Sequence, residues 1–303
     1  MPNPLLHNSL RQFTALLHQH GVDSPRLSAE VLLAHTLGMD RNDFLKTCLL
    51  TPNMPLDAEL YARAEALILR RSTGEPVAYL IGEKEFYGRA FGVTASTLVP
   101  RPETELLVET AVSFFTAPPA RNTEAGYFID CGTGSGCIAI TLALELPFMR
   151  GIAVDTSRAA LQVAKTNAAR HHVSSLLFAQ ADFTMPVMLP QSMHLFVANP
   201  PYISQKEYEG LCHEVRHFEP ATALVPRRSD NAVAPATGLE DLEALVRQAA
   251  TALRPDGLLL MEMGHTQGSA VLAMLQHAKW QEARIIADLA GLDRIAMAVR
   301  TAK

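Results

Sequence analysis

The 303 residues are 48% hydrophobic and 19% charged, and 26 Lys+Arg stand against 31 Asp+Glu for a formal net charge of -5. This length and apolar content suit one large domain or two ordinary ones with a substantial core, which excludes a mainly disordered chain, and the net negative charge offers phosphate backbones no general attraction. Apolar runs fall short of the roughly 18 to 20 residues of a spanning helix, and MPNPLLHNSLRQF lacks a basic segment leading into an apolar one, so a soluble cytoplasmic protein with no membrane partner is expected.

The first 74 residues read as helices. Leu6, Leu10, Phe13 and Leu17 recur at helical spacing before Gly21; Ser24-Pro25 offers an N-cap and a proline at the first helical position, with Leu27, Val31 and Ala34 on one face before Gly38. A short helical pattern near 42–49 and a longer one from Asp57 to Arg71 follow, ending at Gly74. From Glu75 the stretch EPVAYLIGEKEFYGRAFGVTASTLVP mixes aromatic and β-branched residues with glycines, as a linker carrying a hairpin would. The expected division is therefore a helical domain over 1–74, a hairpin-bearing linker over 75–100 and a larger domain over 101–303.

After a helix from Pro102 to about Phe115 and the polar loop APPARNTEAG, strands and helices alternate. YFIDCG, RGIAVD, SLLFAQAD, MHLFVANP and GLLLMEMG are the strand candidates, separated by helical patterns near 135–146, 157–170 and 238–253. Such alternation implies parallel strands with helical crossovers and a ligand crevice at their carboxyl ends. The cysteines at 48, 131, 137 and 212 have neither the close pairs of a zinc site nor the density of a disulfide framework, so reduced thiols are expected.

The first of these strands runs into Asp130-Cys131-Gly132-Thr133-Gly134-Ser135-Gly136-Cys137 and an apolar helix. Glycines here let backbone approach a ligand closely. Cys137 occupies the place of the third glycine of a dinucleotide fingerprint, and no Gly-Lys-Ser/Thr ending follows, so neither a pyrophosphate nor a triphosphate is implied; a tight turn without a ligand is the plain alternative. Asp155 ends the next strand, where a carboxylate meets ribose hydroxyls in nucleoside-binding sheets, although Asp155-Thr156-Ser157 could equally cap the following helix. Asp182-Phe183 after the third strand supplies an acceptor and a flat ring against which an adenine could lie, or an ordinary core phenylalanine.

The fourth strand delivers Asn199-Pro200-Pro201-Tyr202 to the same end of the sheet. Two prolines cannot continue a central strand, so the chain leaves in a stiff extended conformation. The Asn199 side-chain oxygen and the Pro200 carbonyl can then accept both N–H bonds of one planar amino group while the Tyr202 ring packs against its plane. A delocalised nitrogen is a poor nucleophile, and holding it next to a methyl donor helps by positioning and electrostatic preorganisation, with neither a metal nor a nucleophilic side chain required.

With the glycine loop, the strand-end aspartate and this tetrad in place, the chain resembles the S-adenosylmethionine-dependent methyltransferases that act on amide or amino nitrogen. The resemblance implies an α/β, Rossmann-like class I methyltransferase domain behind an N-terminal helical domain. It further implies cofactor contacts from Gly132, Thr133, Gly134, Ser135, Gly136, Asp155, Asp182, Phe183 and Asn199, and an acceptor held by Asn199, Pro200, Pro201 and Tyr202. The tetrad is shared with adenine-N6 methyltransferases. The flanking GEPVAYLIGEKEFYG, LVPRPETELLVE, RHFEPATAL, EMGHTQG and DLAGLDR resemble the HemK-type (PrmC) family of peptide-chain release factor N5-glutamine methyltransferases over nearly the whole chain.

That resemblance implies methyl transfer from S-adenosylmethionine to the glutamine of the Gly-Gly-Gln loop of class 1 release factors, with the helical front docking the protein substrate. The alternatives are a ribosomal-protein glutamine methyltransferase, from which LVPRPETE sets the chain apart, and a nucleic-acid adenine methyltransferase, which the charge balance and lack of a recognition insert disfavour; direct DNA binding is not expected. The chain departs from the family pattern at Cys131, at Met193-His194 and in the long VPRRSDNAVAPATGLEDL connection. His194 is expected at a surface or strand edge. Arg101, Glu103, Glu105, Glu262 and Gln267 receive no individual role, and the part of the long connection between 226 and 237 no role either.

Overall fold

The computed structural model of the chain describes residues 4–117, 126–227, 235–276 and 279–302. Most of the expected polar loop after Ala117, and residues 228–234 of the long connection, lie outside the described residues. The chain divides into two compact units, Met1–Glu83 with Cys212–Phe218, and Lys84–Leu211 with Glu219–Lys303.

The first unit holds α1 (Leu6–Gln19), α2 (Pro25–Thr36), α3 (Arg41–Leu50), α4 (Ala58–Ser72) and α5 (Val77–Ile81). Leu6, Leu10, Phe13 and Leu17 of α1 are all buried, as their spacing requires, and Phe13 packs on Tyr61 of α4 with ring centroids 5.4 Å apart. Asp57 caps α4 by accepting the Leu60 N–H at 2.8 Å. Ser24 does not cap α2: it sits at φ 51° with no side-chain bond to the helix. The buried face of α2 agrees with the expected one only at Ala34, because Leu27 is exposed and Val31 half-buried while Ala29, Leu32 and Leu33 enter the core. Glu30 is buried there as well, held by Arg26 and Arg41.

The division between units falls later than Gly74. Leu80 of α5 belongs to the helical core, so residues 77–81 are part of that unit rather than a linker. Cys212–Phe218 belongs to it too: buried Arg71 pairs with Glu214 at 2.7 Å, and Gly74 lies so close to His213 that a Cβ there would stand 2.7 Å from Nδ1.

The second unit opens at Lys84 within the hairpin strands β1 (Glu83–Phe86) and β2 (Arg89–Gly92), whose Phe86 and Phe91 are buried in the core beneath the sheet. A 3-10 turn at Pro102–Thr104 precedes α6 (Glu105–Thr116), so the helix expected from Pro102 begins three residues later. Then follow β3 (Gly126–Cys131), α7 (Cys137–Glu145), β4 (Met149–Asp155), α8 (Arg158–Arg170), β5 (Leu176–Gln180), β6 (Met193–Ala198) and the short helix α9 (Gln205–Glu209). Helix α10 (His213–Phe218) belongs to the helical unit, and the chain continues through α11 (Glu240–Ala252), β7 (Leu253–Glu262), α12 (Gly268–Leu275), β8 (Trp280–Ala287) and β9 (Asp293–Arg300).

Among the described residues these strands form a seven-stranded sheet ordered β5-β4-β3-β6-β7-β9-β8. β3 to β7 are mutually parallel; β9 runs antiparallel to both β7 and β8. The sheet is covered on both faces, which is why its central strands read as continuous apolar runs. Phe128, Leu195, Val197, Leu258 and Leu260 face one core with α6 and α7; Ile129, Phe196, Ala198, Leu259 and Met261 face the other with α11 and α12. Since β3 lies between β4 and β6, the strand order reverses there, and the carboxyl ends of β3, β4 and β6 frame a crevice at that switch point.

Central placement also corrects the expectation for His194. It lies in β6 between β3 and β7, is buried, and its Nδ1 accepts the Tyr127 N–H at 3.1 Å.

Candidate active site

The glycine loop follows β3 without a break. Gly132, Gly134 and Gly136 take φ values of 77°, 54° and 82°, a left-handed path that brings Gly136 to the N-terminus of α7. A Cβ at Gly136 would stand 2.9 Å from Ile140 Cδ1 and 3.0 Å from Ala164 Cβ, so both the backbone conformation and the close packing of α7 on α8 require glycine there.

Beneath the loop Asp130 is fully buried, its Oδ2 accepting the Thr133 hydroxyl at 2.7 Å while Oδ1 has no hydrogen-bond partner among the described residues. Burial pushes its pKa up to about 7. Burial likewise raises the Cys137 thiol to about 12, so this cysteine at the third-glycine position is a neutral packing residue.

Asp155 stands across the crevice at the end of β4. Its Oδ2 accepts the Gly134 N–H at 2.9 Å and its Oδ1 the Ser157 N–H at 2.8 Å. The cap of α8 is instead Ser157, whose hydroxyl accepts the Ala160 N–H at 3.1 Å. The carboxylate therefore fastens the glycine loop and retains lone pairs directed away from the backbone.

One crevice gathers Gly132, Thr133, Gly134, Ser135, Asp155, Phe183, Asn199 and Pro201, together with Arg101 and Thr104. Gly136, Asp182, Pro200 and Tyr202 are not on its wall. Asp182 is exposed and its carboxylate is engaged by the Thr184 N–H and hydroxyl, whereas neighbouring Phe183 is buried and turned to the crevice. Arg101 is fixed by an ion pair with buried Glu219, which also accepts the Val99 N–H at 3.1 Å. Glu105 accepts the Tyr87 N–H at 2.9 Å and so secures the hairpin, while Glu103 is exposed.

The tetrad is anchored from behind by residues that the motif does not contain. Asn199 Nδ2 donates to Thr104 Oγ1 at 3.2 Å; Thr104 Oγ1 donates to Glu262 Oε2 at 2.6 Å; the Tyr202 hydroxyl donates to Glu262 Oε1 at 2.9 Å. Glu262 is 1% exposed, and burial raises its pKa against the opposing pull of these hydroxyls and Arg294. Burial, followed by the charge of Glu262, lifts the Tyr202 phenol far above its ordinary value, so it is a fixed donor. The Tyr202 carbonyl accepts from Gln267 Nε2 at 2.9 Å and lies so close to Gly238 that a Cβ there would stand 2.3 Å away. Nothing local in the sequence marks Thr104 or Gly238, whose partners lie far along the chain; the sequence cue for Glu262 is a carboxylate at the carboxyl end of an otherwise apolar central strand.

The donor set suits a nucleoside that carries a charged tail. Asp155 offers acceptors for hydroxyls, Phe183 a flat apolar surface, the glycine loop an approach unobstructed by side chains, and Arg101 a positive charge. Among the described residues no group of three or more His, Cys, Asp or Glu side chains is placed to hold a metal ion.

Residues 8–82 match the family model described as the PrmC N-terminal domain, and residues 104–219 match the methyltransferase small domain. A protein from Nitratidesulfovibrio vulgaris named release factor glutamine methyltransferase is 45% identical over 298 residues, covering 97% of this chain and 95% of its own. A protein of the same name from Cereibacter sphaeroides is 39% identical over 292 residues, covering 96% and 97%. A solved methyltransferase from Pyrococcus furiosus, 15% identical, superposes with a TM-score of 0.50 over 79% of this chain and 99% of its own, a likeness of fold alone. With relatives of this identity matched over nearly all of both chains, the chain belongs to the release factor glutamine methyltransferase family, whose methyl donor is S-adenosylmethionine.

Proposed function

We propose that the protein transfers a methyl group from S-adenosylmethionine to the side-chain N5 of the glutamine in the Gly-Gly-Gln motif of class 1 release factors, in the cytoplasm. The observation that carries this reading is the orientation of Asn199. Its Nδ2 is taken by Thr104, which leaves the side-chain oxygen as the free acceptor of a residue on the crevice wall. That oxygen and the Pro200 carbonyl are the two acceptors a primary carboxamide nitrogen requires.

When bound, S-adenosylmethionine supplies an electrophilic methyl on a sulfonium centre. Asp155 would hold the ribose hydroxyls and Phe183 would cover the adenine, while Gly132, Thr133, Gly134 and Ser135 line the crevice and Gly136 seats α7 behind them. Asn199 and Pro200 orient the acceptor nitrogen through its own hydrogens and favour the positive charge it gains, while Pro201 stiffens the corner and Tyr202 sets its pitch. The surplus proton leaves to water. The helical unit, with its own core, is assigned to docking the protein substrate, and the unit after the hairpin to catalysis. No helix among the described residues is long and apolar enough to cross a membrane.

The test supplies labelled S-adenosylmethionine with a class 1 release factor, the same factor with its Gly-Gly-Gln glutamine changed to alanine, a ribosomal protein, or DNA. Label is expected on the unaltered factor alone. Equal label on both factors, or label only on the ribosomal protein or DNA, overturns the substrate assignment. Asn199→Ala is expected to keep cofactor binding and lose turnover by at least roughly a hundredfold, as when a preorganised polar partner is removed; wild-type-like turnover would take Asn199 out of the mechanism.

A further inference from the structure

We infer that Glu262 is a positioning residue for methyl transfer: through the Thr104 hydroxyl it dictates which end of the Asn199 amide faces the acceptor, and through its other oxygen it pins Tyr202. This rests on the glutamine-transfer reading above and adds to it a group that touches neither substrate nor cofactor.

The inference follows from the direction of each hydrogen bond. Each oxygen of Glu262 faces a hydroxyl, and the carboxylate accepts from both, Thr104 at Oε2 and Tyr202 at Oε1. Thr104 has one hydroxyl proton, and it is spent on Glu262 Oε2 at 2.6 Å. Thr104 Oγ1 can then only accept along its remaining directions, and the group facing it at 3.2 Å must be the Asn199 amino end. An Asn amide has two nearly isosteric ends, and a flip would present N–H donors to an acceptor nitrogen that itself carries N–H bonds. The relay forbids that flip. Tyr202, with a single proton given to Glu262 Oε1 at 2.9 Å, is fixed by the same carboxylate.

Nothing in packing requires a charge at this place. Glu262 is 1% exposed, at the end of a strand whose preceding residues Leu258, Leu259, Leu260 and Met261 are all buried and apolar. A buried carboxylate is costly to desolvate and is weak support for stability compared with an apolar side chain of similar volume. Its return here is direction: it is bonded both to the tetrad's tyrosine and to the residue that holds the tetrad's asparagine.

The test uses steady-state kinetics on the full chain with a class 1 release factor, with cofactor affinity measured separately by calorimetry and folding by thermal melting. Thr104→Val keeps the shape and removes the hydroxyl; turnover is expected to fall at least roughly tenfold, with the KM for release factor and the cofactor Kd within about threefold of wild type. Thr104→Ser, which restores the hydroxyl, is expected to recover most of that loss. Glu262→Gln can accept from only one of the two hydroxyls and is expected to lose turnover to a similar degree. The double variant should fall no more than about threefold below the worse single one, because both act on one relay. Turnover of Thr104→Val or Glu262→Gln within threefold of wild type, or no recovery with Thr104→Ser, overturns the inference. Losses that multiply in the double variant and track melting temperature would also overturn it, leaving Glu262 as a structural residue only. A wild-type protein that fails to label release factor sinks the substrate reading instead, an outcome visible before any variant is made.

Discussion

Replacing Asp155 by alanine separates binding from scaffolding. Each carboxylate oxygen already holds one backbone N–H, from Gly134 at 2.9 Å and Ser157 at 2.8 Å, so roughly one further acceptor position per oxygen remains for a hydroxyl. A hydrogen bond to a charged acceptor contributes about 1.5 to 3 kcal/mol, so the loss of one ribose contact weakens cofactor binding roughly ten- to a hundredfold and of two roughly a hundred- to ten-thousandfold. The scaffold loses less. Gly134 and Ser157 are only partly buried, water can take over their N–H groups, and Ser157 still caps α8. A loss of about 1 kcal/mol for each bond corresponds to a fall in Tm of no more than about 8 °C. Calorimetry with S-adenosylmethionine and with an analogue lacking a ribose hydroxyl measures the coupling. The analogue should bind roughly tenfold or more weakly to wild type, yet almost equally with the parent cofactor to Asp155→Ala. An analogue penalised equally in both proteins, or a variant with a Kd within threefold of wild type, would refute the assignment of Asp155 to the ribose.

Two other perturbations probe the loop. Burial lifts the Asp130 pKa to about 7 in the folded chain against an ordinary value of 3.8, so between about pH 4 and pH 7 folding takes up a proton, stability falls as pH rises through that window, and it is level above it. Asp130→Asn removes this slope, and the wild type should lose up to about 4 kcal/mol relative to the variant between pH 4 and pH 8; a melting-temperature gap that is the same at both pH values refutes it. Gly136→Ala forces a side chain into a left-handed residue with contacts at 2.9 and 3.0 Å, which should cost about 2 to 5 kcal/mol and lower Tm by at least roughly 5 °C. A variant that melts within 2 °C of wild type would show that the α7–α8 contact yields.

The glycine loop, Asp155 and the tetrad were legible because each is a contiguous string at the carboxyl end of an apolar strand, where chain position and place in the sheet coincide. The missed elements lack such local support. β8, WQEARIIA, is an edge strand with little regular burial, and α9 and α10 are too short to show a helical period. Thr104 lies 158 residues from Glu262, so their bond is invisible until the sheet is assembled. The assignment of Cys212–Phe218 to the helical unit likewise depends on a pair, Arg71 with Glu214, separated by nearly half of the chain.

Register is the link between these two kinds of residue. β6 and β7 pair in parallel with Ala198 opposite Met261, so the next step along each strand is Asn199 on one side and Glu262 on the other. Side chains alternate faces with a period of two; a slip of one residue would put Met261 or Met263 at the level of Asn199 and turn the carboxylate to the opposite face. Such a slip is opposed by the two cores, because Leu258 and Leu260 would exchange faces with Leu259 and Met261, and by the antiparallel pairing of Glu262 with Ile295 in β9. The same apolar alternation that specifies the sheet therefore places the residues on which the proposed chemistry rests. It sets the carboxylate level with the asparagine, and the tetrad, which as a string is only a stiff corner, is tied through Thr104 and Tyr202 to a carboxylate sixty or more positions away, the orientation that the proposed acceptor pair needs.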